Sequence, residues 1–237
     1  MGVVTIRKAP GRKLAEQIAE EVEREIMAKG WPLGEQLGTE VTLAERYGVS
    51  RAVMREAVRI LEHHMVASPR RGTGGGIMIR SPEMGAVVPV VRLYLDHEGV
   101  NPASLLEARS AIELSAVALA AERITNEKRA RLEEALAAEA EHLKETRQYL
   151  HSHDLHILLA ELSDNPAMRL FVNVLTQLTS EHAQSRFSKV RGAQAVKIGQ
   201  DIARAHSAIV RAVVKGDAQL AQKRMLSHLE AVTSWVT

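Results

Sequence analysis

Apolar residues recur at every fourth position through Leu14, Ile18, Val22 and Ile26, the period of a helix buried along one stripe, so residues 13–29 are predicted to be helical. Gly30, Pro32 and Gly34 supply its stop. A second, shorter helix is predicted from Thr39, whose hydroxyl can cap it, to Gly48, and a third begins at Ser50, another good N-cap. Along this third helix Val53, Ala57 and Leu61 form an apolar stripe, while Arg51, Arg55 and Arg59 line another side. Past Leu61 the helical period is lost. Residues 66–71 and 77–80 flank the glycines at 72, 74, 75 and 76, a run too flexible for a helix and suited to a hairpin loop. Three short helices followed by a basic hairpin make a helix-turn-helix with a wing.

Ser81 and Pro82 break that unit, and from there Ala, Leu, Glu and Arg dominate with no strand signal. Helices are predicted at about 84–98, 103–123, 127–145, 147–163, 166–187, 194–215 and 218–235, each boundary good to ~2–4 residues. The chain thus reads as mainly α: a winged helix-turn-helix domain over 1–80, then an all-helical bundle over 81–237. Helices packed this way can enclose a pocket.

Composition adds little to this division. The 237 residues are 46% hydrophobic and 25% charged, enough for two modest domains. The absence of cysteine excludes disulfides, thiolate metal sites and cysteine nucleophiles. With neither a secretory leader nor an apolar run of membrane length, a cytoplasmic protein with no membrane partner is expected. The net charge of +2 divides unevenly: residues 1–80 hold 13 Lys/Arg against 10 Asp/Glu, and the remainder 18 against 19, a mild bias toward nucleic acid.

Candidate chemistry sits in both halves. Three arginines on a helix are as easily a solvated face, paired with Glu56 and Glu62, as a reading surface; the Gly48 turn, the Ser50 cap and the basic hairpin with Arg70 and Arg71 favour DNA. Among the ten histidines, His156, His206 and His228 fall in three different predicted helices. A histidine in a bundle is more often a hydrogen-bonded core residue than a ligand, yet three neutral imidazoles that converged would form an open metal site. Arg109 is either a surface partner of Glu113 four residues on or a pocket guanidinium able to clamp a carboxylate.

Residues 12–80 resemble the winged helix-turn-helix domain of the GntR family of bacterial transcription regulators. The resemblance rests on Leu37 to Glu40, Leu43 and Ala44, Gly48 to Arg51, Arg55 to Ala57, Leu61 and the glycines of 72–76. It implies operator contact by Ser50, Arg51, Ala52 and Arg55, with Arg70 and Arg71 on the wing and a wing glycine, Gly74, letting backbone approach the minor groove; Thr39 is counted with the same set. Where many relatives carry arginine after the glutamate matching Glu40, this chain has Val41. Residues ~84–235 resemble the FCD effector domain, a resemblance that implies membership of the FadR subfamily. The marks here are Leu106 to Arg109, Glu113, His156 with Asn165 and Pro166, His206 to Asp217, and His228. Metal-binding members use three histidines matching His156, His206 and His228 and an aspartate one turn earlier, whose place is Ser152 here. The resemblance therefore implies a divalent metal ion such as zinc or nickel, short of one charged ligand, and an effector held by Arg109 and more weakly by Arg186.

The expected function is a homodimeric, ligand-responsive transcription regulator, a repressor of a palindromic double-stranded operator released by a small organic acid or acyl compound, and not an enzyme. Two other classes compete. A metal-dependent hydrolase would use the histidines to activate water, but no well-placed carboxylate base accompanies them in the sequence. An architectural DNA-binding protein would lack an effector altogether.

Overall fold

The periodic residues at the start of the chain form α1 (Leu14–Ala28), which buries Ile18, Val22 and Ile26 completely or nearly so. A computed structural model of the chain describes residues 13–72, 74–146, 153–187, 190 and 192–236, and divides it into two units, Met1–Glu83 and Met84–Thr237. In the first unit α1 is followed by β1 (Gln36–Gly38), α2 (Glu40–Tyr47), α3 (Arg51–His63), β2 (Ala67–Arg70) and β3 (Gly76–Ile79). Leu43 and Tyr47 from α2, Met54, Ala57, Val58 and Leu61 from α3, and Ile77 and Ile79 from β3 close one core against α1. Val53 is only half-buried, so the packed stripe of α3 is centred on Met54 and Val58 as much as on Ala57 and Leu61.

Glu25 ties α2 to α1 by accepting from the Arg46 guanidinium at 2.6 Å and the Tyr47 hydroxyl at 2.8 Å. Burial, and then this carboxylate, push the Tyr47 phenol well above its ordinary value, so it stays a donor. The sheet is antiparallel in the order β1-β3-β2, which leaves Pro69 on an edge strand where its missing N–H costs no ladder bond. The strand β1 was not expected from the sequence; it pairs with β3 through Gln36 opposite Met78 and Gly38 opposite Ile77.

The elements of the second unit, among its described residues, are all helices: α4 (Met84–His97), α5 (Pro102–Glu122), α6 (Asn126–Thr146), α7 (His153–Leu162), α8 (Pro166–Phe187), α9 (Gly192–Val214) and α10 (Ala218–Val236). Asn101 caps α5 by accepting from the Ser104 N–H at 3.0 Å, with Pro102 in the first turn. Asn165 does the same for α8, accepting from Ala167 and Met168. The main core gathers Val117 and Ala120 of α5, Leu155 and Leu159 of α7, Ile209 and Val213 of α9, and Met225 and Leu229 of α10. Around α5, which is wrapped by these neighbours, even charged side chains are enclosed: Arg109 and Glu113 are 5% and 2% exposed. Among the described residues no helix is long and apolar enough to cross a membrane.

Candidate DNA-contacting surface and candidate metal centre

The turn before α3 is made by Gly48 in the left-handed conformation at φ 63°, which lets α2 stop and the chain reverse. Ser50 then caps α3, its hydroxyl accepting from the Val53 N–H at 3.3 Å. Thr39 is occupied in a capping box at the start of α2, accepting from the Thr42 N–H at 3.1 Å. With Met54 and Ala57 turned inward, Ser50, Arg51, Ala52 and Arg55 are left exposed together on the first turns of α3. Arg55 Nε lies 3.4 Å from Glu40 Oε2, and Arg59 lies 3.6 Å from Glu56. Both are solvent-facing pairs, worth about 0–1 kcal/mol, so a phosphate or guanine edge can replace the carboxylate. Val41 sits beside Glu40 with its side chain partly exposed.

Arg70 and Arg71 are exposed on the wing, where Arg70 Nη2 donates to the Gly74 carbonyl at 3.3 Å and Gly74 has φ 78°. Thr73 lies outside the described residues. The tip folds so tightly that a Cβ on Gly75 would stand 2.3 Å from the Arg70 carbonyl oxygen and 2.8 Å from that of Gly72. Gly75→Ala is therefore expected to cost about 1–3 kcal/mol in strain or reshape the tip, lowering DNA affinity while leaving the helical circular-dichroism signal intact. Affinity and urea midpoint both equal to the parent's would contradict this account of the wing.

In the helical unit, His156 on α7, His206 on α9 and His228 on α10 converge, fully buried, with one ligand nitrogen from each lying within 4.8 Å of the others. His228 Nε2 is 3.2 Å from His206 Nε2 and 3.3 Å from His156 Nε2. Two bonds of 2.0–2.1 Å at a tetrahedral angle separate their nitrogens by about 3.3 Å, so these spacings suit a common zinc-like ion. The outer ring nitrogens are also engaged. His156 Nδ1 meets Glu113 Oε2, and His206 Nδ1 lies 2.8 Å from Glu139 Oε1 and 3.1 Å from Oε2. A carboxylate only accepts, so both rings carry their proton on Nδ1 and turn an Nε2 lone pair inward. A His228 N–H can point at only one of these two nitrogens at a time, whereas an ion between the rings would meet all three. The donor set fits a divalent metal.

Glu113 is the hub of the cluster. Burial alone would raise its pKa, but the Arg109 guanidinium and His156 hold it well below the usual carboxylate range, and it stays ionised. Arg109 donates to Glu113 through Nε and to the Thr179 hydroxyl through Nη1 at 3.0 Å. Burial lowers the pKa of His156 against the pull of Glu113; burial followed by the two neighbouring imidazoles lowers that of His228 further, keeping it neutral and able to ligate. One turn before Thr179, the Thr176 hydroxyl is buried with no hydrogen-bond partner among the described residues.

Sequence reasoning thus treated as alternatives two things that coexist: Arg109 is paired with Glu113 and is also buried beside the histidines. It missed Glu139, 67 residues from His206, and it gave Glu113 no part beside the histidines, where the structure places both carboxylates on Nδ1 atoms. Arg186 lies on α8 with its side chain outside the described ones, and Ser152 lies outside the described residues.

Comparison with known proteins bears on both halves. The profile of the bacterial regulatory proteins of the gntR family matches residues 14–77, and that of the FCD domain matches residues 104–231. The Uxu operon regulator of Haemophilus influenzae is 30% identical over 91% of this chain and 79% of its own length. The chain belongs to the gntR family. It is a DNA-binding transcription regulator with an FCD effector domain, responsive to a ligand. Another relative of this gntR regulator, the HTH-type transcriptional repressor NanR of an Enterobacter species, is 28% identical over 97% of this chain and 88% of its own. Among solved structures, a Streptococcus agalactiae GntR superimposes with a TM-score of 0.71 at 26% identity, covering 93% of this chain and 99% of the other.

Proposed function

We propose that this regulator, of the FadR subfamily, represses transcription by binding a palindromic operator as a homodimer and lets go when a small organic acid enters the helical domain. Arg51 and Arg55 read base edges or phosphates, Ser50 and Ala52 lie against the backbone, and Arg70, Arg71 and Gly74 bring the wing to a neighbouring groove. One winged unit reads too few base pairs for genomic specificity, and a two-fold pair doubles them. A protein whose partner is chromosomal DNA works in the cytoplasm.

His156, His206 and His228 would hold a divalent ion such as zinc or nickel, which when bound supplies a Lewis-acidic position for an acidic ligand. Arg109, held by Glu113 and Thr179, would be the group to meet a ligand carboxylate, and the Thr176 hydroxyl one turn from Thr179 would offer a hydrogen bond to a ligand oxygen. The observation that carries the reading is one chain holding an exposed arginine-bearing helix in one unit and a buried imidazole trio beside a guanidinium in the other. A metal-dependent hydrolase finds less support. Glu113 and Glu139 bond the Nδ1 atoms, away from the converging Nε2 atoms, where they hold rings in place and do not reach a water between them.

The test is fluorescence anisotropy on DNA selected by the protein from a random pool, with a panel of small carboxylic acids added. A coupling of 1–3 kcal/mol is typical of such switches, so the cognate acid is expected to weaken binding by about 5–150-fold. Tight binding to any sequence, with a steep salt slope and no response to any acid, would favour the architectural alternative.

A further inference from the structure

We propose that Glu139 of α6 and Glu113 of α5, neither of them a ligand, are positioning residues that aim the histidine trio at its metal, with Glu139 setting His206. The inference rests on the metal reading above and extends it to residues that reading leaves out. Along α6 the inward positions run Leu132, Ala135 and Leu136, Glu139 and Leu143, the spacing of one buried stripe. Leu132, Ala135 and Leu136 pack into the main core, so an apolar residue is the expected occupant of the next inward position. Instead a carboxylate stands there, 14% exposed, with both oxygens within 3.1 Å of the Nδ1 of a histidine that is itself 0% exposed.

Placing an acid on the packed side of a helix costs desolvation, and a structural role alone would be served as well by leucine. What the acid provides is a fixed tautomer. With its proton held on Nδ1 by Glu139, His206 can only present a lone pair to His228 Nε2, 3.2 Å away. Glu113 imposes the same choice on His156, and Arg109 in turn holds Glu113. Two of the three histidine-bearing helices are thus steered by two helices that give no ligand. Such outer partners also raise the basicity of the ligating nitrogen, and their loss typically costs 10–100-fold in metal affinity.

The experiment strips full-length protein of metal and titrates it with zinc alone against a competing chelator. Glu139→Gln keeps the shape and an accepting oxygen but loses the charge, and is expected to weaken zinc by roughly 10-fold; Glu139→Ala loses both and should approach 100-fold. Glu134→Gln, on the exposed side of the same helix, should bind like the parent. In parallel, two-bond nitrogen-15 imidazole spectra of the metal-free protein read the tautomer directly. His206 is expected as the Nδ1–H form in the parent and in Glu139→Gln, and as a mixture in Glu139→Ala. A Glu139→Ala protein with parental zinc affinity and a parental His206 tautomer overturns the proposal. A parent that takes up no zinc overturns the metal reading itself, and the His206 spectrum then still decides whether Glu139 sets that ring.

Discussion

Alanine at Arg51 and Arg55 is expected to erase the regulator's preference for its operator while leaving a weak, salt-sensitive attraction to any DNA. Both side chains stand exposed on the first turns of α3, the part of a recognition helix that enters the major groove. A bidentate arginine contact to guanine discriminates by about 1–3 kcal/mol, roughly 5–150-fold, and the proposed dimer would lose each contact twice. Arg55 starts from a 3.4 Å pairing with Glu40 and must exchange it for DNA; the exchange is inexpensive because the Arg55 side chain is 59% exposed. Arg59, paired with Glu56 further along the helix, should matter less and serves as the comparison. Anisotropy with the selected operator and a scrambled duplex, repeated over a salt series, separates specific from general binding. If both arginine variants held the operator as the parent does, α3 would not be the reading helix.

Much of this first unit was legible because its determinants are local. The Gly48 turn, the Ser50 cap and four-residue apolar spacing each act within one or two helical turns, so α1, α2 and α3 follow from sequence alone. Choosing Val53 in place of Met54 and Val58 as the buried side rotated the stripe slightly, yet left Arg51 and Arg55 outside, because they are exposed under either choice. The strand β1 escaped notice since three residues are too few to show alternation, and its partner β3 lies 40 residues on.

The histidine cluster shows the opposite case. Nothing in the spacing of His156, His206 and His228 says that α7, α9 and α10 meet; only the likeness to a family suggested it, and packing around α5 brings it about. Arg109 and Glu113 at four residues apart form the ion pair that spacing predicts, but spacing cannot distinguish a surface pair from one enclosed on every side. Glu139 left a trace, an acid on the apolar face of α6. Its meaning depended on His206, which no local pattern connects to it.

His206→Ala is expected to abolish stoichiometric metal and, with it, the metal-dependent part of the effector domain's stability. His206 is the ring that Glu139 fixes and that lies within 3.2 Å of His228, so its removal leaves two imidazoles and an acid without its partner. An ion that binds only the folded state adds about 4 kcal/mol when its free concentration is 1,000 times its Kd. At about 2–4 °C per kcal/mol for a chain of this size, zinc should raise the parent's melting temperature by on the order of 10 °C. The variant should show no such rise. Because truncating a buried ring also opens a cavity, the reading is the difference between melting with and without zinc for each protein, and His206→Asn, which leaves a smaller void, repeats it. Elemental analysis supplies the second measure, with about one ion per parent chain and far less than one per variant chain. Full metal content that survives in both variants would mean that the ion is held elsewhere than at His156, His206 and His228.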